Sequence, residues 1–503
     1  MIQRKIKNVK YFRKFSFFRL TPIKYYSNIV NGDKMNKYKT LLSNTLLISM
    51  GTFGSKILVF LMVRFYTEYL TASDYSTADL IMQTANLLFP IISFGITEGV
   101  FRFTLDSNAH KKSVFTYGFL SITIGAIMFF LIAPLLGLVK DFEGYIWLIV
   151  VYTMASCYHA LCSQFIRAEG KTALFAIQGI INTALVITLN IIFLAKFNMG
   201  ILGYVLSVVV ADGLCTVFLF FKEKLWKQFT LKLQNSVLKQ MLKYSIPLIP
   251  TTVFWWITSV SDRYMVNAMI SSDANGIYAV SYKLPTLLTL VSSIFMQAWQ
   301  FSAVTESEGD KNEHAEFFSQ VWRSFQAVMF LAGAVVIALA KPAMMILTTD
   351  EFYSAWKYIP LLSVSMVFTA FASFTGTVYV VNKKSNISFI TAFIGASTNI
   401  AFNFILIPSR LGVQGAALAT VLSYFIVFII RALNSVKYIP FKLYWWHIIA
   451  NTIIIFVQAT VMIFSPPFWV LIEAVCVALI IILNFKFLMA CVNKVLSPIL
   501  KRR

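Results

Sequence analysis

The sequence predicts an all-α, polytopic membrane protein of about fourteen transmembrane helices, arranged as two six-helix repeats plus two C-terminal helices. Three observations carry that expectation. Of 503 residues, 58% are hydrophobic and 13% charged, which leaves too little polar surface to cover a soluble globule. Mainly apolar runs of ~20 residues, the length a helix needs to cross a bilayer, recur from Leu41 to Val492. The alternating strands of about ten residues that a membrane barrel requires are absent.

The chain begins with a basic arm, residues 1–40. From Met1 to Lys39 it carries eleven Lys and Arg against the single acid Asp33, with aromatic residues between them and no apolar core long enough for a signal peptide. It reads as an arm on anionic lipid, a transit-like presequence, or upstream translation before a start at Met35, so that residues 1–34 are not native. None of the three crosses the membrane.

The spans are expected at 41–66, 77–101, 114–139, 145–167, 172–195 and 201–221, then 242–268, 275–300, 318–341, 356–381, 385–407 and 412–434, and finally 445–465 and 468–492. Counting from an inside start, 34 Lys and Arg fall on the inner side and 7 on the outer. That bias places both termini in the cytoplasm and accounts for the net charge of +22 without nucleic acid. The segment from Glu306 to Glu316 is acidic, but acids weigh little in this rule.

The longest connection, 223–241, is basic and amphipathic and reads as a linker on the inner surface. It divides an N-terminal bundle, 41–222, from a C-terminal bundle, 242–435, and residues 436–503 supply the two extra helices and a basic cytoplasmic tail. The halves echo each other. Arg64, Ser73 and Asp74 recur as Arg263, Ser272 and Asp273 at a constant offset of 199. Lys171 precedes Asn190 as Lys384 precedes Asn403, and Gly200-Ile201-Leu202-Gly203 is answered by Gly412-Val413-Gln414-Gly415. Six spans is an even number, so the repeats share orientation and are related by an axis along the membrane normal, with a site at their interface.

Five cysteines, Cys157, Cys162, Cys215, Cys476 and Cys491, lie in apolar stretches without CxxC or His/Cys spacing, so they read as packing residues. No metal or cofactor is expected.

Four stretches stand out together: Asn44 to Lys56 (NTLLISMGTFGSK), Ser261-Asp262-Arg263-Tyr264, Gly276-Ile277-Tyr278 with Tyr282-Lys283-Leu284-Pro285, and Gly412-Val413-Gln414-Gly415-Ala416-Ala417-Leu418-Ala419-Thr420. In them the chain resembles the oligosaccharide flippase branch of the multidrug/oligosaccharidyl-lipid/polysaccharide exporter superfamily. The resemblance covers roughly Met35 to Leu433. It implies a V of two facing bundles like that of the multidrug and toxin extrusion (MATE) exporters, a cationic central cavity and alternating access. At Asp74-Tyr75-Ser76-Thr77-Ala78 the chain departs from the Gly-x-Tyr pattern frequent in the superfamily.

Charged residues inside spans name the candidate site, because an ionised side chain in a bilayer costs about 2.5–3.5 kcal/mol on insertion scales and is kept for use. Lys56, Arg64, Arg263 and Lys283 are expected to bind substrate. Lys56 and Arg64, eight residues apart on one helix, differ by about 80° and can face one cavity. A guanidinium fork suits a diphosphate. The competing reading is snorkelling of Arg64 and Arg263 to headgroups. Asp262, Glu98, Arg102 and Asp212 are ion-pair or coupling candidates: Glu98 and Arg102 as a local pair four residues apart, Asp262 pairing with a basic residue of another helix and bracing the site, and Asp212 needing a partner or a proton. Glu473 reads as pairing or interfacial, and His159 and His447 as polar packing. Gln178 with Asn182, and Asn399 with Asn403, read as interhelical hydrogen-bonding pairs. Pro90, Pro247, Pro250, Pro285 and Pro360 permit bends.

The leading expectation is a flippase, not an enzyme, that translocates undecaprenyl-diphosphate-linked oligosaccharide repeat units across the bacterial cytoplasmic membrane. Membrane lipids, a polysaccharide polymerase and other export components are the implied partners. A cation-coupled multidrug antiporter of the same superfamily is the nearest alternative. A membrane polysaccharide polymerase or ligase is remoter, because it would need a large outer loop.

Overall fold

A computed structural model describes residues 54, 58, 60–105, 110–138, 142–305, 311–382 and 384–500. Every regular element among them is helical. A short helix, α1 (Val63–Tyr69), leads into α2 (Ala72–Ile92), whose start is fixed by a capping box between Thr71 and Asp74. α2 and α3 (Ile96–Thr104) form one bent span with a 57° break. The break follows Pro90 and falls at Phe94 and Gly95, both left-handed at φ 52° and 60°, a conformation glycine accepts without a Cβ penalty.

α4 (Lys111–Ile132), α5 (Ile146–Ala168), α6 (Thr172–Asn190) and α7 (Gly200–Lys222) complete the first half. The linker contributes α8 (Asn235–Ser245), which packs on α3. Thr230 N–H donates to Thr116 Oγ1 at 3.1 Å and Tyr117 hydroxyl to Asn235 Oδ1 at 3.1 Å, holding the linker against the start of α4.

The second half opens with α9 (Ile249–Met269), followed by α10 (Ser272–Ser281) and α11 (Thr286–Thr305) as a second bent span, with a 41° break at Lys283-Leu284-Pro285. Proline at that position removes a backbone donor and ends the helical ladder. α12 (Lys311–Ala338), α13 (Ala340–Leu347), α14 (Ile359–Val381), α15 (Ser385–Leu406) and α16 (Val413–Ser435) follow, then α17 (Trp445–Phe464) and α18 (Trp469–Leu500).

Ten helices are long and apolar enough to cross a membrane among the described residues, and the two bent pairs make twelve. The expected fourteen differ for two identifiable reasons. Most of span 41–66 lies outside the described residues. Span 242–268 is present as α9 but is too polar to count by composition, with Thr251, Thr252, Thr258, Ser259, Ser261, Asp262 and Arg263 along it. α9 packs on α2, α15 and α16, so protein rather than lipid meets much of that polar surface.

In the first half α5 packs on α7, α2 and α3, around Ile96, Phe115 and Phe165. In the second, α14 packs on α16 and α12 through Trp322, Phe325, Phe371, Phe374 and Phe428, with ring centroids as close as 5.0 Å. The two extra helices lie against α12 and α14. Two arginines assigned by charge counting to cytoplasmic segments are instead buried between helices: Arg323 in α12 and Arg431 in α16. Arg431 lies with its guanidinium carbon 4.9 Å from the Trp255 ring centroid and donates to the Ala372 carbonyl and Thr391 Oγ1, both at 2.9 Å.

The halves meet where α2 runs beside α10 and α9. A Cβ placed on Gly276 would stand 1.8 Å from the Ala72 carbonyl oxygen, so the two backbones touch there. Asn275 Nδ2 donates to Ser76 Oγ at 2.7 Å, and Ser272 Oγ to the Ser73 carbonyl at 3.5 Å; both pairs are separated by 199 residues. Repeat-equivalent residues touch each other only beside a two-fold axis, so the offset read in the sequence reappears as a contact. All of this lies at the end where α2 and α10 begin. The linker lies at the other.

Candidate functional site

The seam between the halves carries a chain of buried charges. Arg263 Nη1 reaches both oxygens of Asp79, at 2.9 and 2.7 Å, from α9 to α2. Its guanidinium carbon is 4.3 Å from the Tyr282 ring centroid. Asp262 is wholly buried and accepts from Tyr278 hydroxyl at 2.7 Å, Tyr282 hydroxyl at 2.5 Å, Thr420 Oγ1 at 3.0 Å and the Arg263 N–H at 2.9 Å. A carboxylate with that many donors is satisfied without a cation of its own. The basic partner from another helix expected for Asp262 is not found among the described residues; three hydroxyls and the Arg263 N–H hold it instead. At the residue just before Asp262, Ser261 Oγ donates to Asn399 Oδ1 at 2.8 Å, as does Asn403 Nδ2 at 2.9 Å, closing α9 onto α15.

Lys283 sits at the break between α10 and α11, half-buried, with Nζ 5.6 Å from the Tyr75 ring centroid. Among the described residues its ammonium makes no hydrogen bond or ion pair, while its backbone N–H donates to the Val280 carbonyl at 3.0 Å. Tyr75 in turn packs on Tyr204 at 6.0 Å and Phe352 at 5.9 Å. Lys283 therefore faces aromatic rings of the opposite half with its charge uncompensated.

The other candidates separate from this seam. Lys56 lies outside the described residues. Arg64 is exposed and donates to the Thr348 carbonyl, away from Arg263, its repeat mate. The symmetry is broken at its partner: the position equivalent to Asp79 is Tyr278, so the second half offers Arg64 no acid at that position. Glu98 and Arg102 are both exposed on α3 and form no ion pair with each other among the described residues, which corrects the expected local pair. At an exposed helix end such a pair is worth only about 0–1 kcal/mol, too little to hold two long side chains together.

Asp212 is buried within the first half and fully partnered. Ser156 Oγ donates to it at 2.9 Å, Asn182 Nδ2 at 2.8 Å, and His159 Nδ1 lies 3.2 Å away. His159 Nε2 is 2.8 Å from Gln178 Oε1, so both ring nitrogens face oxygen acceptors, a geometry that suits a doubly protonated ring. Gln178 and Asn182, read from spacing as an interhelical pair, hold this cluster together across α5, α6 and α7.

Sequence reasoning passed over two acids. Asp79 lies in an apolar run, the same signal that singled out Asp212. Glu351 Oε1 accepts from the Ala72 N–H at 2.8 Å, capping α2 from the other half; its position in a short loop carried no such signal.

Residues 41–300 match the polysaccharide biosynthesis protein family. The chain belongs to that family. Over 86 residues this family member is 38% identical to an uncharacterized membrane protein of Methanocaldococcus jannaschii, a match that spans 17% of each chain. Among solved structures it is similar to an inward-facing MATE family multidrug resistance transporter of the MOP superfamily, with 12% identity and a TM-score of 0.65 over 79% of this chain and 98% of that one. It is similar to the lipid II flippase MurJ in an inward closed conformation, with 15% identity and a TM-score of 0.65 over 90% and 100% of the two chains. An outward-facing MATE transporter gives 14% identity and a TM-score of 0.59 over 80% and 96%. The chain is thus a multi-pass membrane protein of that family, with the all-helical fold of those transporters.

Proposed function

We propose that this protein is a flippase for lipid-linked oligosaccharides, taking undecaprenyl-diphosphate-linked repeat units across the bacterial cytoplasmic membrane for surface polysaccharide assembly. The family supports the polysaccharide connection. The observation that carries the mechanism is the uncompensated charge of Lys283 at the bend of α10–α11, facing Tyr75 of the other half. A half-buried ammonium with no ion pair among the described residues is suited to a diphosphate, which brings its own charge. No bond is made or broken in this reading.

With both termini inside, the end at which the halves touch is the outer one. Arg263 is then a latch: paired with Asp79, it holds the outer ends together while the inner ends accept substrate. Alternating access requires that pair to part. The sugar follows the diphosphate along the seam and the lipid tail stays in the bilayer.

The test replaces Lys283. Lys283→Ala leaves the protein in the membrane, stops export of surface glycan and causes lipid-linked repeat units to accumulate inside, whereas Lys283→Arg retains part of the activity. Normal export by Lys283→Ala overturns the assignment. A drug or cation antiporter is the second reading, favoured by the Asp212–His159 cluster. It is distinguished by saturable binding of an organic cation that Asp212→Asn abolishes.

A further inference from the structure

Arg323 is the least explained charge in the described structure. It is 1% exposed, in α12, where the two C-terminal helices close over the second half. Its Nε and Nη2 are buried without an acceptor, and Nη1 reaches only Gln326 Oε1, at 3.5 Å. Those two unpartnered nitrogens form the edge through which a guanidinium grips an oxyanion with two parallel hydrogen bonds. The Leu443 carbonyl, which faces this stretch of α12, is already taken by Trp322 Nε1 and Gln326 Nε2, both at 2.9 Å. Two rings flank the guanidinium instead: Phe487 of α18 at 4.7 Å and Tyr444 at 5.7 Å.

Tyr444 is the residue at which α17 begins. It has a left-handed backbone, φ 56°, and caps no N–H with its side chain. The Tyr444 carbonyl accepts from His447 and Ile448, but the N–H groups of Trp445 and Trp446 have no acceptor among the described residues. A 20-residue helix thus presents free first-turn donors, and its positive dipole end, beside a buried arginine that lacks an anion. No Asp or Glu lies within ion-pair distance of Arg323 among the described residues. His447, in the first turn of α17, is close enough to interact with the arginine, and exposed Lys442 and Lys486 stand next in the chain to the flanking segments, while the one described acid of α12, Glu316, is exposed two turns away.

We propose that Arg323 and the N-terminus of α17 form a binding site for the phosphate of an anionic bilayer lipid, seated between α12, α17 and α18. The source of the phosphate follows from what lies around it. Trp446 is 72% exposed, and Ile449, Ile453 and Val457 continue an exposed apolar stripe along α17 at helical spacing, suited to an acyl chain. A free phosphate would use the arginine and the helix end but not the stripe. The site lies at the linker end of the helices, the inner leaflet in the orientation proposed above. Its ligand is a structural lipid that fastens the two extra helices to the second half, and this assignment does not depend on the transported substrate.

The experiment uses the full chain purified in mild detergent. Native mass spectrometry with added phosphatidylglycerol is expected to show one retained lipid per protein, with roughly tenfold weaker binding in Arg323→Gln. Phosphatidylcholine at the same concentration binds both proteins equally and weakly. Equal retention of phosphatidylglycerol by the two proteins overturns the proposal. Protection of the protein from thermal unfolding by inorganic phosphate as fully as by the lipid overturns the lipid assignment. Should Arg323→Gln fail to fold, the unaltered protein still decides: dipolar coupling between lipid phosphorus and 15N-labelled arginine side chains is expected in phosphatidylglycerol nanodiscs and is to be lost in Arg323→Lys, and its absence from the unaltered protein overturns the site.

Discussion

Arg263 of α9 and Asp79 of α2 face each other at 2.7 Å across the seam, one from each half of the molecule and both nearly excluded from solvent. Removing one partner of such a pair leaves the other buried and uncompensated, a loss of about 3–5 kcal/mol. Here the loss falls on the state in which the halves touch, because only that state brings the two side chains together.

Arg263→Gln and Asp79→Asn are therefore expected to shift the population away from the closed outer end. The measurement is the distribution of spin-label distances between Glu143→Cys and Ser409→Cys, exposed positions on the two halves, after replacement of the native cysteines. Both variants lengthen it, and the double variant lengthens it less than the sum of the two. Arg64→Gln, at the repeat-equivalent position, leaves the distribution within error, because an exposed arginine bonded to a carbonyl contributes about 1 kcal/mol or less. Equal effects at Arg64 and Arg263 would remove the asymmetry argued from Tyr278.

Gly276 makes the same claim through sterics. Its absent Cβ would meet the Ala72 carbonyl oxygen at 1.8 Å, backbone against backbone, where no side chain can move aside. Gly276→Ala is expected to keep the protein folded, since α10 tolerates alanine, and to prevent the outer ends from closing. Spin-label distances that match the unaltered protein would show that α2 and α10 can part without consequence.

The Asp212 cluster predicts a stability effect confined to the first half. Asp212→Asn turns one carboxylate oxygen into a donor facing donors and leaves His159 without its anion. A loss of about 3–5 kcal/mol follows if His159 is charged, read as a lower unfolding temperature in detergent. His159→Gln restores a neutral cluster, so the double variant is expected to be more stable than Asp212→Asn alone. An additive double variant would mean that the ring carries no charge.

Much of the fold was legible because it follows from composition and period. Apolar runs of bilayer length fix the helices, and the offset of 199 fixes a pair of halves related about an axis. Span 242–268 was expected on the same ground and is present as α9, though it is too polar to count by composition alone. Its polar residues lower its mean hydropathy, and it spans because neighbouring helices supply the partners that lipid does not. The same limit explains the site. Charged residues within spans can be named from sequence, and Arg263, Lys283, Asp262 and Asp212 were. Their partners could not, since a salt bridge between residues 184 apart leaves no local pattern.

By itself, then, the sequence determined that this chain lies in a membrane as two matched sets of helices, because burying apolar length and neutralising backbone are demands each segment meets alone. Tertiary structure decided which charges are free. Arg263 meets Asp79, Arg64 turns to a carbonyl because its symmetric partner position holds Tyr278, and Lys283 and Arg323 face rings without an ion pair among the described residues. Those outcomes depend on distances between helices far apart in the chain, and electrostatic interaction in a low-dielectric interior is set by such distances rather than by composition.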